Sequence, residues 1–242
     1  MNPLSHLSLL FTTYLFHLVH AANSSFYGFE IPTPGPILKF DITVLIPNTS
    51  TNPLMASQIQ AFWPGLQPAP QSENVLYQQV ITNQGGGPGE WYLLPYWCCT
   101  PATNLATQRR VYPGDTLTTN FRWNAMSQNW YDNWALQPGE VGHAAGETPM
   151  GGAVNNFNPM QKAEVIIELQ GKGVWDWGQI VWSNIIIESQ TTTTSWCTGD
   201  WEVWQGADNK FQWTRTPPVA TYNADFNTTT CYIGEVVFVS HN

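Results

Sequence analysis

Short runs of alternating or β-branched residues fill this chain, and they constrain its fold more than any motif does. Phe40 to Ile46, Asn74 to Thr82, Thr116 to Trp123, Ala163 to Leu169, Gln179 to Ser189 and Gly234 to Ser240 each have strand length and lie between turn residues. Beyond the first twenty residues no helical periodicity outlasts two turns, so the expectation is an all-β fold. Pro32, Pro34, Gly35 and Pro36 break the early chain, Gly85 to Gly89 breaks it again, and Val111-Tyr112-Pro113-Gly114-Asp115 is a turn that launches a strand. Asn124 to Gln161, rich in Gly, Asn, Pro and Met, reads as a long excursion with one or two short strands around Trp130 to Leu136. Thr191 to Thr194 reads as an exposed low-complexity loop.

Residues 1–21 read as a secretory signal peptide: an apolar run from Leu7 to Val19 ends in the small residues Ala21 and Ala22. Residues 22–242 are then enough for a single β-sandwich domain with a real core. Secretion to the extracellular space fits the Asn-x-Ser/Thr glycan acceptors at Asn23, Asn48 and Asn227. In that compartment Cys98, Cys99, Cys197 and Cys231 are expected to form two disulfides, with the neighbours Cys98 and Cys99 each reaching a distant partner. A formal charge of -9 and a pI near 4.8 argue against nucleic acid and anionic membranes as partners.

The chemistry is easier to exclude than to name. Beyond the leader the histidines are His143 and His241, with no C-x-x-C or H-E-x-x-H spacing, so neither a metal nor another cofactor is expected. A serine triad would need one of those histidines and lacks a G-x-S-x-G elbow, and oxidised cysteines are no nucleophiles. Ala163-Glu164-Val165-Ile166-Ile167-Glu168 is the unusual segment, since its alternation puts Glu164, Ile166 and Glu168 on one strand face. A carboxylate there either faces water or has a task. Glu164 and Glu168, four strand positions apart, stand roughly 13 Å from each other, beyond the reach of a glycosidase acid/base pair. Any catalytic partner of Glu164 must come from another strand.

Ordered blocks supply one. Phe62-Trp63-Pro64-Gly65-Leu66-Gln67, Val75-Leu76-Tyr77-Gln78-Gln79-Val80 and Ala163 to Glu168 resemble the W-x-G-I-x-G, I-L-Q-T-G and A-E-W-I-V-E blocks of the glutamic peptidases, or eqolisins, secreted acid endopeptidases of fungi. Trp91 to Trp97, Pro113 to Leu117, Trp177 to Asn184 and the Phe40 to Pro47 strand resemble further blocks in the same order. The chain differs at Val165, where the family has Trp, and at Leu66-Gln67-Pro68, where it has I-D-G. Phe62 to Pro68 also resembles a group of uncharacterised secreted fungal proteins with the same concanavalin-like sandwich.

The resemblance implies an antiparallel, concanavalin-like (jelly-roll) β-sandwich carrying a Glu164/Gln78 dyad on adjacent strands, with Tyr77-Gln78-Gln79 leaving a one-residue choice of glutamine. An ionised Glu164 would take a proton from water and return it to the leaving amine, and Gln78 would orient the water and stabilise the oxyanion. Trp63, Trp91 and Trp97 would line the substrate groove. Thirteen tryptophans, some expected at the surface, also fit a non-catalytic carbohydrate- or cell-wall-binding protein, and a third reading is a tailoring enzyme acting on a small molecule. The expected partner is a polypeptide or polysaccharide in a groove, bound by a monomer.

Overall fold

The computed structural model describes residues 24–68, 75–85, 89–99, 102–152, 155–156, 159–206 and 208–239. The segment expected to be a leader, residues 1–21, and Asn23 lie outside the described residues. In chain order the strands are β1 (Ser24–Pro32), β2 (Ile37–Leu45), β3 (Ile59–Gln67), β4 (Val75–Thr82), β5 (Trp91–Cys99), β6 (Thr103–Asn104), β7 (Arg109–Val111), β8 (Thr116–Asn124) and β9 (Asn129–Gln137). They continue with β10 (Met150–Gly152), β11 (Asn155–Asn156), β12 (Lys162–Gln170), β13 (Ile180–Ser189), β14 (Glu202–Gln205), β15 (Gln212–Arg215), β16 (Val219–Asn223) and β17 (Thr228–Val239). All their pairings are antiparallel.

Two sheets form. The first runs β14-β1-β12-β3-β4-β5-β6 with β7 on β5, and the second runs β10-β9-β8-β2-β13-β17-β15 with β11 on β9 and β16 on β17. The expected all-β sandwich is therefore observed. Its core lies where the inward-facing residues of both sheets meet: Phe29, Phe62, Tyr77 and Val165 from the first, Phe40, Phe121, Trp182 and Phe238 from the second. Phe62 meets Trp182 edge to face at 6.1 Å across that interface.

The outward face of the first sheet is also apolar. Ala61, Trp63, Leu76, Val80 and Ile166 form a second buried cluster there, flanked by Phe26, Leu94, Tyr96 and Trp204. This face is where the site lies.

Four expectations need correction. The expected strand around Trp130 to Leu136 is present but is longer than a short strand of an excursion: β9 is nine residues long and pairs with β8 from Thr116↔Gln137 to Asn124↔Asn129, while the segment after it carries only the short β10 and β11. Its inward positions Trp130, Asp132, Trp134 and Leu136 are buried, which outweighs the polar composition between them. The cysteines pair differently too. Cys197 and Cys231 are fully buried in the core with Cα atoms 5.4 Å apart and are bonded, which leaves Cys98 and Cys99 to bond each other across their own peptide. Trp91 does not line a groove. It is buried in the inter-sheet core between Phe62 and Trp177, and its indole N–H donates to the Asn48 carbonyl at 3.0 Å. Trp97 likewise stands opposite Tyr77 on the inward face and packs against that core.

Nor are the tryptophans displayed. Nine of the thirteen are buried, and Trp97, Trp123, Trp204 and Trp213 are half-buried, so the sandwich uses the rings as filling. Asn48 and Asn227 are exposed.

Asp132 is the costly residue of the interior. It is fully buried, neither carboxyl oxygen has a hydrogen-bond partner, and burial pushes its pKa up from 3.8 to about 8. The native state thus keeps a proton that the unfolded chain releases between about pH 4 and pH 8. Stability is full below that window and is lost as the pH rises through it. Asp132→Asn should flatten the pH dependence of the thermal melt, removing a loss on the order of a few kcal/mol at the alkaline end. A slope identical to wild type would show that the carboxyl is ionised in the folded protein.

Candidate functional site

The site starts from the alternation of β12. Ala163, Val165, Ile167 and Leu169 enter the inter-sheet core, which sends Lys162, Glu164, Ile166 and Glu168 to the outward face of the first sheet. The replacement of Trp by Val165 therefore falls in the core and not on this face. On β4, Tyr77 enters the core and Gln79 shares its side of the strand, whereas Leu76, Gln78 and Val80 face outward. Of the two neighbouring glutamines, Gln78 is the one on the face of Glu164.

Register decides what these side chains meet. Glu164 lies opposite Gly65 of β3, and Gly65 lies opposite Gln78 of β4. The dyad residues are thus two strands apart, about 10 Å between Cα atoms, across a residue with no side chain. Strictly they are not on adjacent strands, as the resemblance implied. Gly65 lets neighbouring side chains close over this position: a Cβ there would stand 3.0 Å from Leu76 Cδ1 and 3.2 Å from the Trp63 ring. The β3–β4 ladder is also interrupted between Phe62↔Ile81 and Gly65↔Gln78, because Pro64 has no N–H to donate.

The same row continues outward on both sides. Beyond Glu164 come Glu30 of β1 and then Glu202 of β14, and beyond Gln78 comes Tyr96 of β5. Glu30, Lys162 and Glu202 carry no motif, and Gly65 was only part of a matched block. A signal did exist for Glu30: Phe29-Glu30-Ile31 is a carboxylate inside an apolar strand, the same pattern that marks Glu164.

Glu164 does not face water. It is 2% exposed, Gln78 is 3% exposed and Glu30 is 1% exposed. Burial pushes the Glu164 pKa up to about 8, the neighbouring negative charge of Glu30 adds to the rise, and Lys162 opposes it. Lys162 Nζ is 2.6 Å from Glu30 Oε1. Glu168 also has a raised pKa, caused by burial and partly offset by hydrogen bonds from Gln170 and from Trp63 Nε1, the latter 3.1 Å from Glu168 Oε2. Trp63 is the one sequence-nominated tryptophan on this face. Tyr96 is raised as well, by burial and then by the charge of Glu168.

Among the described residues no group of His, Cys, Asp and Glu is arranged to hold a metal ion. A separate surface depression of about 520 Å³ lies at the β8–β9 hairpin, lined by Arg122, Trp123, Tyr131 and Asn133. It belongs to the second sheet and is remote from the Glu164 row in the topology.

No protein-family model matches the sequence, and no curated protein matches it. Among the solved structures that resemble the fold are two of a glutamic peptidase. A crystal structure of scytalido-glutamic peptidase with a peptide-based transition-state analogue is 12% identical, covering 87% of this chain and 98% of that one, with a TM-score of 0.52. The same peptidase with a transition-state analogue inhibitor is 11% identical over 87% and 98% of the two chains, with a TM-score of 0.54. The likeness is one of fold, and at that level it agrees with the ordered blocks.

Gly65 gives the packing test of this row. Gly65→Ala should lower stability in urea unfolding by about 1–3 kcal/mol, the range for an added methyl group in a filled interior. An unchanged midpoint would mean that Leu76 and Trp63 yield freely to the added methyl group.

Proposed function

We propose that the protein is a hydrolase of glutamic-peptidase type acting on peptide bonds at acid pH. The observation that carries this reading is the register row Glu164, Gly65, Gln78: a carboxyl and a carboxamide directed to one face across a residue without a side chain. A carboxyl can shuttle a proton, and an amide N–H can bind a developing oxyanion without itself titrating.

The raised pKa changes the order of proton transfers expected from the sequence. A carboxyl with a pKa near 8 is neutral in acid, so Glu164 begins as the donor and not as the base. It gives its proton to the carbonyl oxygen of the scissile amide as water adds to the carbonyl carbon, and the carboxylate so formed takes the proton the water loses. Glu164 then protonates the leaving nitrogen, the C–N bond breaks, and the hydroxyl derived from the carbonyl returns its proton to the carboxylate as the product acid forms. Gln78 stabilises the oxygen throughout, a contribution of about 3 kcal/mol for one such donor. Trp63, hydrogen-bonded to Glu168 beside this row, is the candidate substrate wall.

A second reading, carbohydrate binding without catalysis, is favoured by the depression at the β8–β9 hairpin, where Trp123 and Tyr131 offer aromatic faces beside Arg122 and Asn133. The two readings separate cleanly. On the first, the purified protein digests a denatured protein at about pH 4, Glu164→Gln abolishes cleavage with the fold intact, and Gln78→Ala lowers kcat by about 10²- to 10³-fold. Cleavage undiminished in Glu164→Gln would remove the peptidase assignment. On the second, nothing is hydrolysed, and Trp123→Ala weakens binding to insoluble β-glucan or chitin while Glu164→Gln leaves it unchanged.

A further inference from the structure

Glu30 is the buried charged group that neither the ordered blocks nor the proposed reaction uses, and its position is specific. It stands directly opposite Glu164 on the neighbouring antiparallel strand, on the same face, and both side chains are almost fully buried. Glu164 Oε1 is buried with no hydrogen-bond partner beside it. Two ionised carboxylates facing each other in so buried a place repel, which favours a proton on one of them.

The surrounding charges say which one. Lys162, two positions from Glu164 on β12, reaches diagonally to Glu30, with Nζ 2.6 Å from Glu30 Oε1 and a side chain only 17% exposed. Glu202 of β14 stands on the far side of Glu30 and adds negative charge. From β3 and β4 the row presents Gly65 and Gln78, neither of which titrates, and Tyr96 follows on β5. Along β12 the next carboxyl on the face, Glu168, is already engaged by Trp63 and Gln170. One cation therefore faces two carboxyls, and its ion pair is with Glu30. Ionising both would leave a buried excess negative charge beside Glu202.

We propose that Glu30 is a positioning residue for Glu164: the two carboxyls share a single proton, and the Lys162–Glu30 ion pair directs that proton onto Glu164. As an account of catalysis this rests on the hydrolase reading above, since it explains how a glutamate would be kept as a proton donor over a wide pH range. The sharing of the proton is independent of turnover and is tested without it.

The experiment follows the Glu164 carboxyl carbon by NMR in protein labelled with 13C at the glutamate side-chain carboxyl, its signal identified by its loss in Glu164→Gln. The quantity read is the pH midpoint at which the Glu164 carboxyl signal shifts. Glu30→Gln keeps the shape but removes the charge, and should lower the midpoint by about 1–3 pH units. Lys162→Met removes the cation and should raise it. Opposite shifts from two substitutions on one contact are not the result of general loosening, which would move both toward the ordinary glutamate value. An unchanged midpoint in Glu30→Gln, or a shift of the same sign in both variants, overturns the proposal. Should Glu30→Gln not fold, Lys162→Met alone decides, and a midpoint that stays or falls there overturns it. If the wild type cleaves peptide, the alkaline limb of its pH–rate profile should move with the same signs. Absence of cleavage removes the hydrolase reading, and the titration still decides the pairing.

Discussion

The cost of placing two carboxyls side by side on a buried sheet face governs what this sandwich can do. Glu30 and Glu164 meet because β1 and β12 pair in a fixed register, and that register is held by the alternation of Phe29, Ile31, Val165 and Ile167 into the inter-sheet core. A one-residue slip of β12 would turn Glu164 into that core and bring Val165 outward. The large hydrophobic stake on one face thereby fixes the position of the charged groups on the other. Among the described residues Lys162 is the cation at hand to compensate them, and one cation beside two carboxyls is a defined protonation problem, not a surface ion pair of little consequence.

The same face shows what Gly65 does for packing. Trp63 and Leu76 close in on it, so one added methyl group there would press on both side chains. Pro64 adds a break in the β3–β4 ladder beside it. Glu164 and Gln78 stand on either side of this side-chain-free strand position, on one face of the sheet. The burial of the pair makes each polar contact there stronger and each unpaired atom more costly.

How much of this was legible in the sequence varied with the physics of each segment. Strands with plain alternation, such as β2, β8 and β13, stand out because one face is apolar and the other polar. β3 and β5 were matched as blocks but do not read as strands by composition, since Pro64 and Pro95 lie inside them and both of their faces are largely apolar. The choice between Gln78 and Gln79 was undecidable from one sequence, because it depends on which face of β4 meets the core. The nomination of Trp91 and Trp97 failed for the same reason: a tryptophan in an aromatic run carries no mark of its side, and positions 91 and 97 share the inward parity with Leu93. The cysteine pairing followed from the burial of Cys197 against Cys231, a long-range contact that spacing alone does not encode.

Fold and site therefore rest on different grounds. Two structures of a glutamic peptidase share this architecture at 11% to 12% identity, and a sandwich of that kind can carry many unrelated surfaces. What distinguishes this chain is one row across five strands, Glu202, Glu30, Glu164, Gly65 and Gln78, in which three carboxyls are followed by a glycine and a carboxamide. The three acidic positions would repel if each were ionised, and Lys162 can neutralise only one of them. Glu30 and Glu164 are both buried and the cation pairs with Glu30, which favours a proton on Glu164, and a neutral glutamate facing a carboxamide across a glycine is equipped to donate before it accepts. The order of proton transfers in any reaction at this site is thus set by β1, a strand outside the Glu164/Gln78 dyad.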